Sequence, residues 1–164
     1  MMPFTLLWQL EIAFEAMALQ YERLCESARY RPDAYLFAVA LAQVVKAAEI
    51  TDGALGSVET RAALKSFRAA FPHATDVRNV VEHWEAYAEG KGRLQKRGGF
   101  GPVDLLNVTE NKRRELVLEV GPLKLNIRQA AWAARRLYEK IARELEASSR
   151  EYRGGPWPNR ERRG

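Results

Sequence analysis

The apolar residues of this chain recur every three or four positions for most of its length and every two positions only once. That change of period constrains the fold more than any other feature. Within Leu6–Arg29, the residues Leu10, Phe14, Met17, Tyr21, Leu24 and Ala28 draw one helical stripe, with Glu11, Glu15, Glu22 and Glu26 in a polar stripe beside it. Arg31-Pro32 ends this helix, because a residue before proline is pushed out of the helical region. Asp33 then caps a second helix, Ala34–Glu49, which is apolar nearly all round apart from Gln43 and Lys46 and is expected to be the most buried. Thr51 to Gly56 reads as a turn, and Ser57 caps a third helix to about Ala70, with Leu64, Phe67 and Phe71 inward and Pro72 as its stop. A fourth helix starts at Thr75 or Asp76, turns Val77, Val80, Val81, Trp84, Tyr87 and Ala88 to the core, and ends at Gly90.

After a glycine-rich basic stretch, Gly90 to Pro102, the period becomes two. Leu116, Leu118 and Val120 alternate with polar neighbours, as do Leu123, Leu125 and Ile127, with Gly121-Pro122 between them. This pattern is a β-hairpin, and Val103–Thr109 adds a third strand. Asn126 followed by Gln129 forms a capping box for the last helix, whose stripe is Ile127, Ala131, Ala134, Leu137/Tyr138, Ile141 and Leu145. The expectation is a mainly α single domain over residues 1–149, a bundle of about five helices. A small antiparallel β-hairpin or meander is inserted at about 103–127, before the last helix. The stretch Arg150–Gly164, rich in Arg, Pro and Gly, reads as a disordered basic tail.

At 164 residues, 47% hydrophobic and 29% charged, the chain has ordinary globular composition. Cys25 is its one cysteine, so no internal disulfide forms, which suits a reducing, cytoplasmic setting. Met1–Phe14 does not read as a signal peptide, since no basic residue precedes its apolar stretch and Glu11 interrupts it early. The most apolar run, Ala34–Ala42, is far shorter than the ~20 residues of a membrane span, so no membrane association is expected. A net charge of +5 with a pI near 9.5 permits an acidic partner such as nucleic acid.

The fourth helix carries Arg78-Asn79-Val80-Val81-Glu82-His83, of the form R-N-x-x-x-H. A second Arg–His pair with the same spacing, Arg68 and His73, has Ala69 in the polar slot and Pro72 inside it. At about 100° per residue, Asn79 and His83 share a helix face, whereas Arg78 and His83 differ by about 140°. At these residues the sequence resembles the HEPN superfamily, small helical bundles that include many metal-independent ribonucleases. Their signature is an Arg, a polar residue, and a His four to six positions after the Arg. Glu85 stands where some members have Tyr.

The resemblance implies an endoribonuclease, of the toxin or phage-defence kind, with Arg78, Asn79 and His83 as its catalytic residues and no cofactor. It also implies a homodimer in which each subunit gives Arg and His to a shared cleft. The chemistry suits those residue types. Histidine is the side chain whose charge changes near neutrality, and an arginine stabilises the negative charge that gathers on a phosphate under attack.

Other readings stand beside this one. Arg78 and Glu82 are spaced for an exposed ion pair, and His83 is then a half-buried amphipath on a helix flank. The chain is in that case a non-catalytic helical module for dimerisation or partner binding. Two histidines ten apart supply no usual metal-ligand spacing, so no metal is expected. The four glutamates of the first helix read as a solvated face, and Cys25 as a small buried hydrophobe. Lys91, Arg93, Lys96 and Arg97, with Phe100 and then Lys112-Arg113-Arg114, form a basic surface after the motif helix. Arg128, Trp132, Arg135, Arg136 and Arg143 add to it from the last helix. Arginines with an exposed Trp suit a nucleic-acid backbone and a stacked base; the plainer account is a solvated face on which Trp packs against Arg stems.

Overall fold

The computed structural model describes residues 3–26, 31–97, 106–113 and 115–154. Six helices, α1 (Pro3–Glu26), α2 (Arg31–Leu55), α3 (Val58–Ala70), α4 (Ala74–Glu82), α5 (Trp84–Ala88) and α6 (Ile127–Gly154), enclose one hydrophobic cluster. A 3-10 turn follows α5 at Gln95–Arg97, and the strands β1 (Leu106–Glu110), β2 (Leu116–Val120) and β3 (Leu123–Asn126) precede α6. The strands form an antiparallel meander in the order β1-β2-β3, with Val108 opposite Leu118 and Leu118 opposite Leu125. The mainly α bundle with its small sheet before the last helix is the architecture expected from the change of period.

Where the stripe is regular, burial follows it. Along α6, Ile127, Ala131, Ala134, Leu137, Ile141 and Leu145 are all buried, and Tyr138 stacks on Phe14 of α1 at 4.4 Å between ring centres. The helix begins as its sequence requires, for the Gln129 N–H donates to Asn126 Oδ1 at 2.9 Å. Ser57 likewise accepts from the Thr60 N–H at the start of α3. Gly121 takes φ 56°, the positive value that a tight β2–β3 turn places at its first loop position. α6 runs on to Gly154, into the stretch expected to be tail; residues 155–164 lie outside the described residues, as do Ala28, Phe100, Val103 and Arg114.

Three further boundaries differ from expectation. α2 already starts at Arg31, with Pro32 in its first turn, where the missing N–H leaves no intrahelical bond unmade. Asp33 therefore lies inside the first turn, buried beside Arg23 at 3.7 Å. α2 also continues through the supposed turn at Thr51, whose hydroxyl donates back to the Ala47 carbonyl at 2.9 Å. The helix ends only where Gly56 adopts φ 62°. α2, of 25 residues with a most apolar stretch of mean hydropathy 1.4, is long and apolar enough to cross a membrane, and 56% of that stretch is buried inside the fold. Its burial is thus incomplete: Leu36, Tyr35 and Ile50 are exposed.

The third difference falls on the motif. The fourth helix breaks in two at His83, whose φ of −122° and ψ of 33° are not helical. The break rotates the following turn, so Trp84 is 63% exposed and Ala88 is exposed, against expectation, while Tyr87 enters the core. Cys25 is exposed as well, not buried: it lies beside, rather than in line with, the buried Leu24 on the last turn of α1.

Candidate functional site

Asn79 and His83 stand one turn apart and share a face, and the structure adds a second wall to that face. α5 closes with two paired backbone bonds, Gly90 N–H to the Tyr87 carbonyl at 3.2 Å and Lys91 N–H to the Ala86 carbonyl at 2.7 Å, with Gly90 at φ 73°. This is the Schellman arrangement, and it turns the chain back on itself. The returning segment is fixed to Tyr87. The Gln95 side chain donates to the Tyr87 carbonyl and accepts from the Gly92 N–H, both at 2.8 Å, and the Leu94 N–H donates to the Tyr87 hydroxyl at 3.3 Å. Gly92 lies so close to the Tyr87 ring that a Cβ there would enter it. The lack of a side chain, more than any special φ, is what this contact requires.

The result is a shallow cleft of about 410 Å³ lined by Asn79, His83, Tyr87, Lys91, Arg93 and Lys96. His83 is exposed, and among the described residues its imidazole has no hydrogen-bond or ion-pair partner. Arg93 lies 3.6 Å from Asp76, and Lys91 pairs with Glu89 at 2.8 Å. Lys96 is exposed and has no ion-pair partner among the described residues. The cleft is thus rich in positive charge and donors, the composition of an anion site.

Arg78 does not line this cleft. Its guanidinium is ion-paired with Glu82 and faces a groove of about 320 Å³ between α2 and α4, with Gln43, Lys46, Glu49 and Thr75. The angular separation of Arg78 from His83 holds in the fold, and within one chain the pair does not converge on a point. One link remains: Arg78 Nη1 donates to Asn79 Oδ1 at 3.1 Å. With its oxygen so occupied, Asn79 keeps its amide N–H₂ as a donor. The ion pair of the plainer reading is therefore present but half-buried rather than exposed, and the half-buried histidine of that reading is exposed instead. His73, at the decoy spacing, lies 3.7 Å from Asp76, and Arg68 pairs with Glu49.

Arg128 and Trp132 belong to a different groove, with Tyr21, Cys25, Glu110 and Glu115. Both are exposed, and Arg135 lies over the Trp132 ring at 5.6 Å, as the packing account of this face has it. Two acidic side chains make this groove a poorer anion site than the His83 cleft. The Arg97 side chain lies outside the described residues. Among the described residues, no three His, Cys, Asp or Glu side chains converge.

The sequence reading had Asn79, His83, Lys91, Arg93 and Lys96, but it missed the residues that bring them together: Tyr87, Gly92 and Gln95. The Gly90-x-Gly92 spacing was the available signal, one glycine for a positive φ and one for close contact. No family model, curated protein or solved structure matches the chain.

Proposed function

We propose that the chain is a metal-independent endoribonuclease whose working site is the cleft of Asn79, His83, Arg93 and Lys96. The observation that carries this reading is the exposed imidazole of His83, without a hydrogen-bond or ion-pair partner among the described residues, which lines a cleft of about 410 Å³ together with Lys91, Arg93 and Lys96. In this reading His83 takes the proton from a ribose 2′-hydroxyl as its oxygen attacks the adjacent phosphorus. The bond to the 5′-oxygen breaks, and that oxygen leaves with a proton from water. The products are a 2′,3′-cyclic phosphate and a 5′-hydroxyl. Arg93 and Lys96 offset the charge that gathers on the phosphate oxygens. The Asn79 amide donates to one of them, and Arg78, which holds the Asn79 oxygen, is a positioning residue.

The test is incubation of purified protein with single-stranded RNA in EDTA, with His83→Ala and His73→Ala compared side by side. Cleavage that survives EDTA, is lost in His83→Ala and persists in His73→Ala supports the reading. No cleavage by the wild type, or full activity in His83→Ala, overturns it. A second reading, a non-catalytic helical module, is favoured by one feature, the exposed apolar side chains of α1 and α2.

A further inference from the structure

The side chains that line the His83 cleft are nearly all donors. Lys91, Arg93 and Lys96 donate hydrogen bonds and cannot accept them. Asn79 keeps its amide N–H₂ as a donor, because its oxygen already accepts from Arg78. The Tyr87 hydroxyl accepts from the Leu94 N–H, and the residue is only 2% exposed, with Gly92 against its ring. The backbone carbonyls of Asn79, His83, Ala86, Tyr87 and Gly92 all accept N–H groups from within the chain. Asp76 and Glu89, the carboxylates paired with Arg93 and Lys91, do not line the cleft. Among the described residues, the lining side chain left to accept a hydrogen bond is His83, through the bare nitrogen of its neutral imidazole.

A nucleic acid offers such a cleft three kinds of group. Phosphate oxygens are acceptors only, and donors match them. Base edges mix donors with acceptors in a pattern that differs from base to base, so reading it takes acceptors as well. The sugar of RNA differs from that of DNA by the 2′-hydroxyl, whose proton needs an acceptor. On the cleft that the ribonuclease reading uses, and without its catalytic step, we infer that the protein binds the phosphodiester backbone and not the bases. The cleft holds DNA as well as RNA, and His83 is the side chain in it that tells the two sugars apart. DNA is bound and left uncut, since it has no 2′-hydroxyl to attack phosphorus. A base stacked on the imidazole or on Arg93 leaves this unchanged, because every base has a face to stack. Guanine is the severest case: its O6 and N7 are both acceptors, and an arginine can take them together. Arg93, however, has Asp76 at 3.6 Å beside it.

The other grooves among the described residues suit a polyanion less. The α1–α2 groove, about 580 Å³, is lined by Ile12, Leu36 and Ile50 among alanines, and its Lys46 lies 3.7 Å from Glu49. The groove between α2 and α4 holds the same pair, with Arg78 tied to Glu82. The groove of Arg128 and Trp132 contains Glu110 and Glu115.

Fluorescence anisotropy with short labelled single strands tests this. Wild type is expected to bind a deoxythymidine run, and the same run with adenine, cytosine or guanine at alternate positions, with Kd values less than about fivefold apart. One specific base contact would separate them by ~5-fold or more. Arg93→Ala and Lys96→Ala should weaken every strand by the same factor. Lys96→Ala should also flatten the slope of log affinity against log salt by about 0.7, the share of one phosphate contact on a single strand. In His83→Ala, uridine and deoxyuridine runs should bind less than about twofold apart, where one more hydrogen bond to the sugar would exceed that. A wild type that cuts no RNA removes the ribonuclease reading, whereas equal binding through Lys96 still supports the inference. It is overturned if wild type binds no strand, if one base is preferred fivefold or more, or if a twofold RNA preference survives in His83→Ala. Strands held equally well by wild type, Arg93→Ala and Lys96→Ala overturn it too.

Discussion

The His83 cleft and the α1–α2 groove are both built on helices, yet they differ in what they leave unpaired. The cleft leaves donors and positive charge: an imidazole, the Lys96 ammonium and the Asn79 amide, all reachable from water. The groove leaves apolar side chains, with Lys46 as its one charged lining residue. Exposed donors around a concavity suit an anion, whereas an apolar groove offers an anion nothing to bind. What a surface fails to satisfy within its own chain thus says more about its partner than how apolar or how basic the whole chain is. The net charge of +5 is common to both regions and distinguishes neither.

The strongest way to break this comparison is at His83. His83→Ala is expected to reduce RNA cleavage by ~10²–10⁴-fold, the usual worth of a general acid or base. The melting temperature should change little, because the side chain is exposed and surface substitutions are usually worth less than about 0.5 kcal/mol. Full cleavage by His83→Ala would remove the cleft from the comparison.

Next in size is Gly92→Ala, which separates the cleft from the groove through packing. An added Cβ meets the ring of Tyr87, itself 2% exposed and held by the returning chain on several sides. Overpacking of this kind costs about 1–3 kcal/mol, which for a chain of this size lowers the melting temperature by several degrees. RNA affinity should fall, since Lys91, Arg93 and Lys96 ride on the displaced segment. A melting temperature equal to wild type would mean that this segment is not packed against Tyr87, and the cleft would lose its second wall.

Asn126→Ala ranks third, at about 1 kcal/mol for a lost N-cap. It removes the acceptor for the Gln129 N–H at 2.9 Å and a donor to Glu115 at 2.8 Å. A thermal melt is expected to drop by about two to four degrees, with cleavage unaltered. An unchanged melt would make the start of α6 self-sufficient.

α6 was legible because one rule, the 3.6 period, held from its cap to Leu145 without interruption. The α4–α5 region was legible only as far as the rule ran. Asn79 and His83, four apart, do share a face, and Arg78 does point elsewhere, as the helical angle requires. Past His83 the same rule sent Trp84 and Ala88 inward and was defeated by a backbone break that no proline or glycine announced. The α1–α2 groove was hidden for a different reason. A helix that is apolar nearly all round does not tell which of its faces meets its own chain. Only the packed neighbours of α2 separate Phe37 and Val44, which are buried, from Leu36 and Ile50, which are not.

The smallest expected effect is at Glu115, which touches neither the cleft nor the groove and so provides the control for both. Its carboxyl accepts from Asn111 Nδ2 at 3.0 Å and Asn126 Nδ2 at 2.8 Å, tying the β1–β2 turn to the end of β3. These hydrogen bonds, the Asn111 bond foremost, hold its pKa below the usual carboxylate value, against a weaker opposing effect of desolvation. A depressed folded-state pKa contributes stability above the unfolded-state value, ~4.3 for a glutamate. That contribution is lost as pH falls through the folded-state value. Glu115→Gln lacks this titration but keeps an amide oxygen as acceptor. The melting temperatures of wild type and variant should therefore differ slightly near pH 7, with wild type higher. The gap should narrow from about pH 5 downward, leaving the variant with the flatter acid limb. Melts at closely spaced pH values decide it: a gap that is constant from pH 7 to pH 3 would show that the carboxylate charge contributes nothing at this corner, and that only its shape is used.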